Sequence, residues 1–215
     1  MNFDDFTSCL SEELDPVRSL ALRLHDAGTK FRDDAWLLSH RPGIAPEAYA
    51  VRLYTPLSVG ATARYQTLHD FTPLPGYLRI LKRLKGANIF ELSLFGLPKT
   101  MANDPPLLDR RVDQPMDLAC ANKSWKSEYR VPDDWFYFGF GPLTHDENAG
   151  YFIETGGAVV SAKRNGDFLN TWASFHAFLA DELPRLERIY PDHEAYMSKL
   201  LHQGRSPWWK RLFDR

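Results

Sequence analysis

The chain has 215 residues and a formal net charge of −2; 44% of the residues are hydrophobic and 25% are charged. This is an ordinary globular composition and argues against a disordered chain. Nucleic-acid binders neutralise phosphates with Lys and Arg, so the lack of a basic excess argues against direct nucleic-acid binding. The two cysteines, Cys9 and Cys120, are far apart and predict neither a zinc site nor a disulfide framework.

The start of the chain is acidic and lacks the apolar core of a signal peptide. No stretch approaches the ~18 apolar residues that a membrane helix needs. We therefore expect a cytoplasmic protein without a membrane span. The sequence contains no HExxH, glycine-rich phosphate loop or G-x-S-x-G motif, so we expect no metal and no cofactor.

Residues 1–55 are predicted to form a helical extension that packs on the main domain. Phe3 to Leu10 predicts a short helix. A second helix is predicted to start at Pro16, with Asp15 as its cap, because proline loses nothing at the first helical position. Phe31 to Leu38 predicts one more helical segment.

The middle of the chain changes from a helical to a strand pattern. Residues 58–70 predict a helix, and Pro75 can open the next one. The apolar stripe of that next helix is Leu74, Leu78, Leu81 and Leu84. Phe90, Leu92 and Leu94 then alternate with polar residues, as in a strand with one buried face. Residues 98–121 are rich in proline and charge, and predict a long loop or insertion.

The C-terminal half predicts consecutive strands and a long helix. The strand-like segments are Trp135–Phe140, Tyr151–Thr155, Ala158–Lys163 and a segment beginning at Phe168, with an Asn165-Gly166 hairpin turn. The helix covers Ser174 to Ile189, and Pro184 is expected to kink or divide it. Strands joined by short turns favour an α+β fold, with a mostly antiparallel sheet of about four to six strands and helices packed on it.

Several short sequence patterns follow one another over residues 56–190. They are Leu74-Pro75-Gly76-Tyr77-Leu78, then Leu92-Ser93-Leu94-Phe95-Gly96, Trp135-Phe136-Tyr137-Phe138-Gly139, Asp146 to Phe152, and Ser174-Phe175 with Phe178-Leu179. Their order and spacing resemble the SUKH superfamily, the Smi/Knr-like domains. The turn at Lys85-Gly86-Ala87-Asn88 departs from the family's usual Asn-Gly-Gly form.

The resemblance implies a SUKH-like α+β domain that binds proteins and has no shared catalytic residues. Bacterial members are commonly immunity proteins that occlude the active surface of a polymorphic toxin. Fungal members act as regulatory scaffolds. The sequence therefore predicts a non-enzymatic domain whose partner is a cognate protein toxin, such as a nuclease, or another intracellular protein.

Acidic loops beside aromatic residues predict where a basic partner would bind, since an acidic surface speeds association with a basic one. The candidate partner-binding residues are Asp133, Asp134, Trp135, Asp146, Glu147, Tyr151 and Glu154. A simpler interpretation is that the carboxylates cap turns, where they bond their own backbone.

A hydrolase is the remaining alternative. It would need Asp133-Asp134 to face Asp146-Glu147 as acid and base, or Asp146, Glu154 and His145 to converge in one pocket. The sequence offers no two histidines at a helical i, i+4 spacing that would support a metal site.

Residues 191–215 form a basic aromatic tail. From Lys199 to Arg215 there are five basic residues and one acidic residue. Trp208-Trp209 is predicted to dock on the body of the protein rather than on a membrane, because the segment is short.

Overall fold

The computed structural model describes residues 1–10, 12–45, 47–57, 60–98, 114–144 and 146–202. Six α-helices lie in these ranges: α1 (Phe3–Cys9), α2 (Asp15–Leu24), α3 (Ala61–His69), α4 (Pro75–Leu81), α5 (Leu118–Lys123) and α6 (Phe175–His202). Short 3-10 turns occupy Glu12–Leu14 and Trp125–Glu128.

The nine strands of these ranges form one sheet: β1 (Lys30–Arg32), β2 (Ala35–His40), β3 (Tyr49–Tyr54), β4 (Gly86–Ile89), β5 (Leu92–Leu94), β6 (Phe136–Pro142), β7 (Asn148–Ile153), β8 (Val159–Ala162) and β9 (Phe168–Trp172). Each strand pairs antiparallel with the next, in the order β1 to β9. The predicted α+β class with a mostly antiparallel sheet is confirmed. The predicted count of four to six strands is wrong.

The extra strands come mainly from the N-terminal region, where Phe31–Leu38 was predicted to be helical. These residues instead form most of β1 and β2, joined by a two-residue turn at Asp33-Asp34 with φ of 51° and 61°. Two aspartates can adopt this left-handed conformation because their short polar side chains bond locally. Since β3 pairs with β4, strands from residues 30–54 belong to the same sheet as the later strands.

Three local predictions also differ from the structure. The 3-10 turn at Glu12–Leu14 runs directly into α2, so Leu14 takes the N-cap position instead of Asp15. Pro184 lies inside α6, which continues through it, so the predicted division is wrong, whereas the alternative of a kink stays a prediction. Residues 118–121 of the predicted loop belong to α5, whereas residues 99–113 lie outside the described ranges.

The stripe predicted for the helix after Pro75 is confirmed at Leu81 and Leu84, which are buried, but not at Leu78. In α4 the buried side chains are Tyr77, Ile80 and Leu81, whereas Leu78 is half-buried. The helix places Tyr77 rather than Leu78 against the sheet, where its hydroxyl donates a 2.6 Å hydrogen bond to the carbonyl of Phe95.

The sheet has an aromatic core on each face. On the first face, Phe138 of β6 contacts Phe175 and Phe178 of α6, at ring-centroid distances of 5.3 and 5.4 Å. On the second face, Tyr137 contacts Phe95 at 4.9 Å and Phe152 at 4.8 Å. The helix α5 and the 3-10 turn after it cover part of this second face.

Candidate functional site

The seven predicted binding residues fall at three separate places on the β6–β7 hairpin. In this hairpin, Phe136 of β6 pairs with Ile153 of β7 at one end, and Pro142 pairs with Asn148 at the other. Asp133, Asp134, Trp135 and Glu154 flank the first end, Asp146 and Glu147 lie in the turn at the second end, and Tyr151 lies between them on β7. The structure therefore splits the predicted patch.

At the first end, two contacts fix the loop that precedes β6. The hydroxyl of Thr155 donates a 2.6 Å hydrogen bond to the Asp134 carboxylate. The ammonium of Lys126 donates a hydrogen bond to the carbonyl of Asp133. Burial lowers the pKa of Lys126, and the charges of Asp133 and Asp134 oppose that shift. Both aspartate side chains stay exposed while their backbone is held in place.

Trp135 joins this acidic loop to the last strand of the sheet. Its ring lies 6.2 Å from that of Phe152 and 5.3 Å from that of Phe168, at the start of β9. Phe168 is 60% exposed, although most large apolar side chains in the described ranges are buried. Phe136 pairs with Ile153 at this end of the hairpin, and Trp135 and Glu154 are the residues next to that pair. We call Asp133, Asp134, Trp135, Glu154 and Phe168 the acidic aromatic surface.

Further carboxylates lie at both ends of β9. Asp167 immediately precedes the strand, and its side chain accepts a 2.7 Å hydrogen bond from Asn165. At the other end, the Asp181 carboxylate of α6 accepts a 2.9 Å hydrogen bond from the indole of Trp172. Both aspartates are exposed.

Two nearby cations are each paired with a carboxylate. Lys163 lies 3.1 Å from Glu147, and Arg164 lies 3.3 Å from Glu128. Arg130 is exposed beside Gly166, so the region is not purely acidic. Apart from these two ion pairs, acidic groups of the region outnumber basic ones by five to two. The acidic residues are Asp133, Asp134, Glu154, Asp167 and Asp181, and the basic residues are Lys126 and Arg130.

At the second end, Asp146 and Glu147 form a turn. The carbonyl of Glu147 accepts hydrogen bonds from the amides of Leu143 and Thr144, at 2.8 and 3.1 Å. The amide of Asp146 lies 3.4 Å from the Thr144 hydroxyl. Backbone groups and the Thr144 hydroxyl therefore hold this turn. The Glu147 carboxylate instead pairs with Lys163, which follows Ala162, the partner of Phe168 in the sheet.

This separation rules out the carboxylate pair that the hydrolase alternative would need. Six residues of β7 separate the two ends of the hairpin, which corresponds to roughly 17–20 Å along a strand. Acid and base carboxyl groups of glycosidases lie about 5–10 Å apart. For the second hydrolase arrangement, Asp146 and Glu154 lie at opposite ends of β7, and His145 lies outside the described residues.

Tyr151 is a core residue and not a surface contact, which corrects its predicted role. Only 2% of it is exposed, and its hydroxyl donates a hydrogen bond to the Glu182 carboxylate of α6. Burial, and then the charge of Glu182, raise the pKa of Tyr151 well above its usual value. Its position on the sheet turns its ring toward α6, where the centroid lies 4.8 Å from that of Phe178 and the two ring planes are tilted by 54°.

Sequence reasoning missed Glu182, Arg185 and Phe168. Glu182 follows Leu179 by three residues, so it lies on the apolar face of α6, and a carboxylate there signals a buried polar network. Phe168 carried the weaker signal of an aromatic residue directly after a hairpin turn. Its exposure depends on β9 being the last strand, which its local sequence does not reveal.

In the ranges that the structure covers, no group of three or more metal-ligating side chains is gathered. Within the same part of the chain, no helix is both long enough and apolar enough to cross a bilayer. No protein-family profile and no curated protein sequence matches the chain. The resemblance to the SUKH superfamily therefore stays a prediction from the residues quoted above.

Proposed function

We propose that this chain is a non-catalytic protein-binding domain that recognises a basic partner through the acidic aromatic surface. The observation that carries the proposal is the contact between Trp135 and Phe168 at 5.3 Å, which leaves Phe168 60% exposed beside a loop of carboxylates. The acidic residues predicted from the sequence keep a place in this proposal only at one end of the hairpin: Asp133, Asp134 and Glu154.

Aromatic side chains are the usual anchors of protein interfaces, since they bury a large area at a small cost in conformational entropy. Trp135 is half-buried against Phe152, so its ring is already held in place before a partner arrives. A preordered ring loses little freedom on binding. Phe168 extends the same apolar patch outward to the edge of the sheet.

The surrounding carboxylates favour a basic partner. Complementary charge speeds encounter and disfavours acidic competitors. Many toxin domains are nucleases with basic clefts for the nucleic-acid backbone, and an acidic inhibitor can occupy such a cleft. Together with the resemblance to SUKH domains, this supports an immunity protein that neutralises a cognate toxin by covering its active surface.

Co-expression tests the proposal. The chain would be produced in cells together with the toxin encoded beside it, and survival would be counted. We expect the wild-type chain to protect the cells and Phe168→Ser to lose this protection. An aromatic anchor that becomes buried by the partner typically contributes at least ~2 kcal/mol to binding. Leu68→Ser is the matched control, since Leu68 is 53% exposed on α3.

Three results would count against the proposal. The wild-type chain could fail to protect, or no toxin gene could lie beside it. Equal protection by the wild type and Phe168→Ser would place binding elsewhere. Recovery of several housekeeping proteins with the chain would favour a regulatory scaffold over an immunity protein.

A further inference from the structure

The two edges of the sheet differ in how they are protected against pairing with another strand. The first edge strand, β1, is three residues long and carries Lys30 and Arg32. Both contact the Glu47 carboxylate, at 3.1 and 2.9 Å. Short, charged edge strands are the usual means of preventing strand addition.

The other edge strand, β9, lacks such charges, although its register with β8 shifts at Leu169, between the Phe168 and Asn170 pairs. It is five residues long, Phe168–Trp172, and contains no charged residue and no proline. It pairs with β8 on one side and is the last strand of the sheet within the described residues. Three of its side chains, those of Phe168, Asn170 and Thr171, are exposed.

The direction of one backbone group shows which amides of β9 face outward. The Asn170 amide donates a 3.1 Å hydrogen bond to the Ser161 hydroxyl on β8, so this amide faces into the sheet. Backbone groups alternate in direction along a strand. The amide and carbonyl of the next residue, Thr171, therefore point away from β8, toward the open side.

We propose that β9 is a strand-addition site, where an extended basic segment of the partner protein pairs with the sheet. This inference rests on the proposed function and specifies how the partner is bound. In strand addition, backbone hydrogen bonds supply affinity and the side chains supply specificity. The added segment lies beside Phe168, so the same partner also covers the acidic aromatic surface.

Charge selects the occupant. Asp167 lies at the start of β9 and Asp181 at its end, separated by a five-residue strand of roughly 17 Å. A segment with a Lys or Arg near each end matches this spacing. A second copy of the chain would place these carboxylates against their equivalents, and like charges facing each other are destabilising.

A blocked synthetic peptide of sequence Lys-Val-Thr-Val-Thr-Val-Lys is the probe. Its binding to the full chain would be measured by fluorescence anisotropy for three proteins: wild type, Thr171→Pro and Thr171→Ala. Proline removes the outward amide but no bond to β8, whereas alanine keeps that amide. We expect Thr171→Pro to weaken binding by at least about tenfold and Thr171→Ala by less than about twofold.

Three further measurements guard against misfolding and non-specific charge. Asp167→Asn combined with Asp181→Asn leaves the strand intact and is expected to weaken binding about tenfold. Slower hydrogen exchange at the Thr171 amide on adding peptide reports the pairing directly. Two N-methylated peptides complete the test, each with the amides along one of its two edges blocked. Only one of the two peptides should lose binding, because only one edge pairs with β9.

Equal binding by Thr171→Pro and the wild type would overturn the proposal, as would no binding of the peptide to the wild-type chain. Dimerisation that Thr171→Pro abolishes would also overturn it, because the occupant would then be a second copy. If Phe168→Ser loses protection from the toxin while Thr171→Pro keeps it, the protein-binding function stands and strand addition fails.

Discussion

The hydroxyl of Tyr151 on β7 donates a hydrogen bond to the buried carboxylate of Glu182 on α6. The guanidinium of Arg185, one turn further along α6, donates to the same carboxylate at 2.8 Å. It also donates to the carbonyl of Pro142 at the end of β6, at 2.7 Å. The side chains of Tyr151, Glu182 and Arg185 therefore link α6 to the sheet through hydrogen bonds inside an aromatic core.

Removing one member of this network should destabilise the fold. We expect Tyr151→Phe to lower the free energy of unfolding by about 1–2 kcal/mol, because Glu182 loses one donor. Glu182→Ala should lower it by about 3–4 kcal/mol, because Arg185 is then left without its carboxylate in a half-buried position. Urea unfolding measures both values.

The two changes should also be non-additive. In the double variant, Tyr151→Phe adds less than it does alone, since its acceptor is already gone. Glu187→Ala is the matched control on the same helix, because its ion pair with Arg23 is exposed and should contribute less than about 1 kcal/mol. Equal losses for Glu182→Ala and Glu187→Ala would contradict the description of the network.

High pH should unfold the protein. Burial raises the pKa of Tyr65, Tyr77, Tyr137 and Tyr151 above the ordinary value of about 10. Their protonated forms stabilise the folded state fully below pH ~10, and this stability is lost as the pH rises toward the folded-state values. Each tyrosine reduces the free energy of unfolding by up to about 1.4 kcal/mol per pH unit there.

Absorbance at alkaline pH checks this prediction. At least four of the nine tyrosines should fail to ionise until the protein unfolds. Tyr77→Phe should make the loss of stability with pH less steep, since Tyr77 is 1% exposed and one fewer group then titrates on unfolding. Ionisation of all nine near pH 10 without unfolding would contradict the burial of these side chains.

Asn122 of α5 takes the place of a neighbouring strand for part of β6. Its side-chain amide donates to the carbonyl of Tyr137 at 2.8 Å and accepts from the amide of Tyr137 at 2.9 Å. We expect Asn122→Ala to cost about 2–4 kcal/mol, because two buried backbone groups lose their partner. Asn148→Ala, at an exposed position on β7, should cost less than about 0.5 kcal/mol. Thermal unfolding measures both variants, and similar losses of stability for the two would contradict this role of Asn122.

Gly96 is required by a close approach of two backbone segments. A Cβ at this position would lie 1.8 Å from the carbonyl oxygen of Lys85. Gly96→Ala should therefore destabilise the protein by at least about 3 kcal/mol, because backbone must shift. At Gly76 in α4, an added Cβ would have no neighbouring atom within 4 Å. Gly76→Ala should therefore stabilise the protein by about 0.5–1 kcal/mol. Urea midpoints that move in the same direction for both would contradict this contrast.

Much of the fold could be predicted because its signals are local. The helix openings at Phe3 and Pro75, the Asn165-Gly166 turn and the strands that follow residue 134 all follow from periodicity and turn chemistry within a few residues. The first strands were missed because Asp33-Asp34 forms a tight turn without glycine. Their identity as strands depends on pairing with β3, which is a tertiary contact.

The candidate site could be predicted only in part for the same reason. Acidic and aromatic residues around Trp135 were recognisable, but the sequence does not reveal that the two ends of the β6–β7 hairpin are far apart. Asp146 and Glu147 were therefore grouped with Asp133 and Asp134, although the strands separate them. Phe168 joins Trp135 only through the order of strands in the sheet.

Calorimetric titration of the purified chain with an inactivated form of the toxin encoded beside it tests whether the acidic aromatic surface binds this partner. We expect tight binding that weakens with salt, a loss of at least about thirtyfold in affinity for Phe168→Ser, and a loss of less than about twofold for Leu68→Ser. No measurable binding by the wild-type chain, or equal affinities for the two variants, would contradict this expectation.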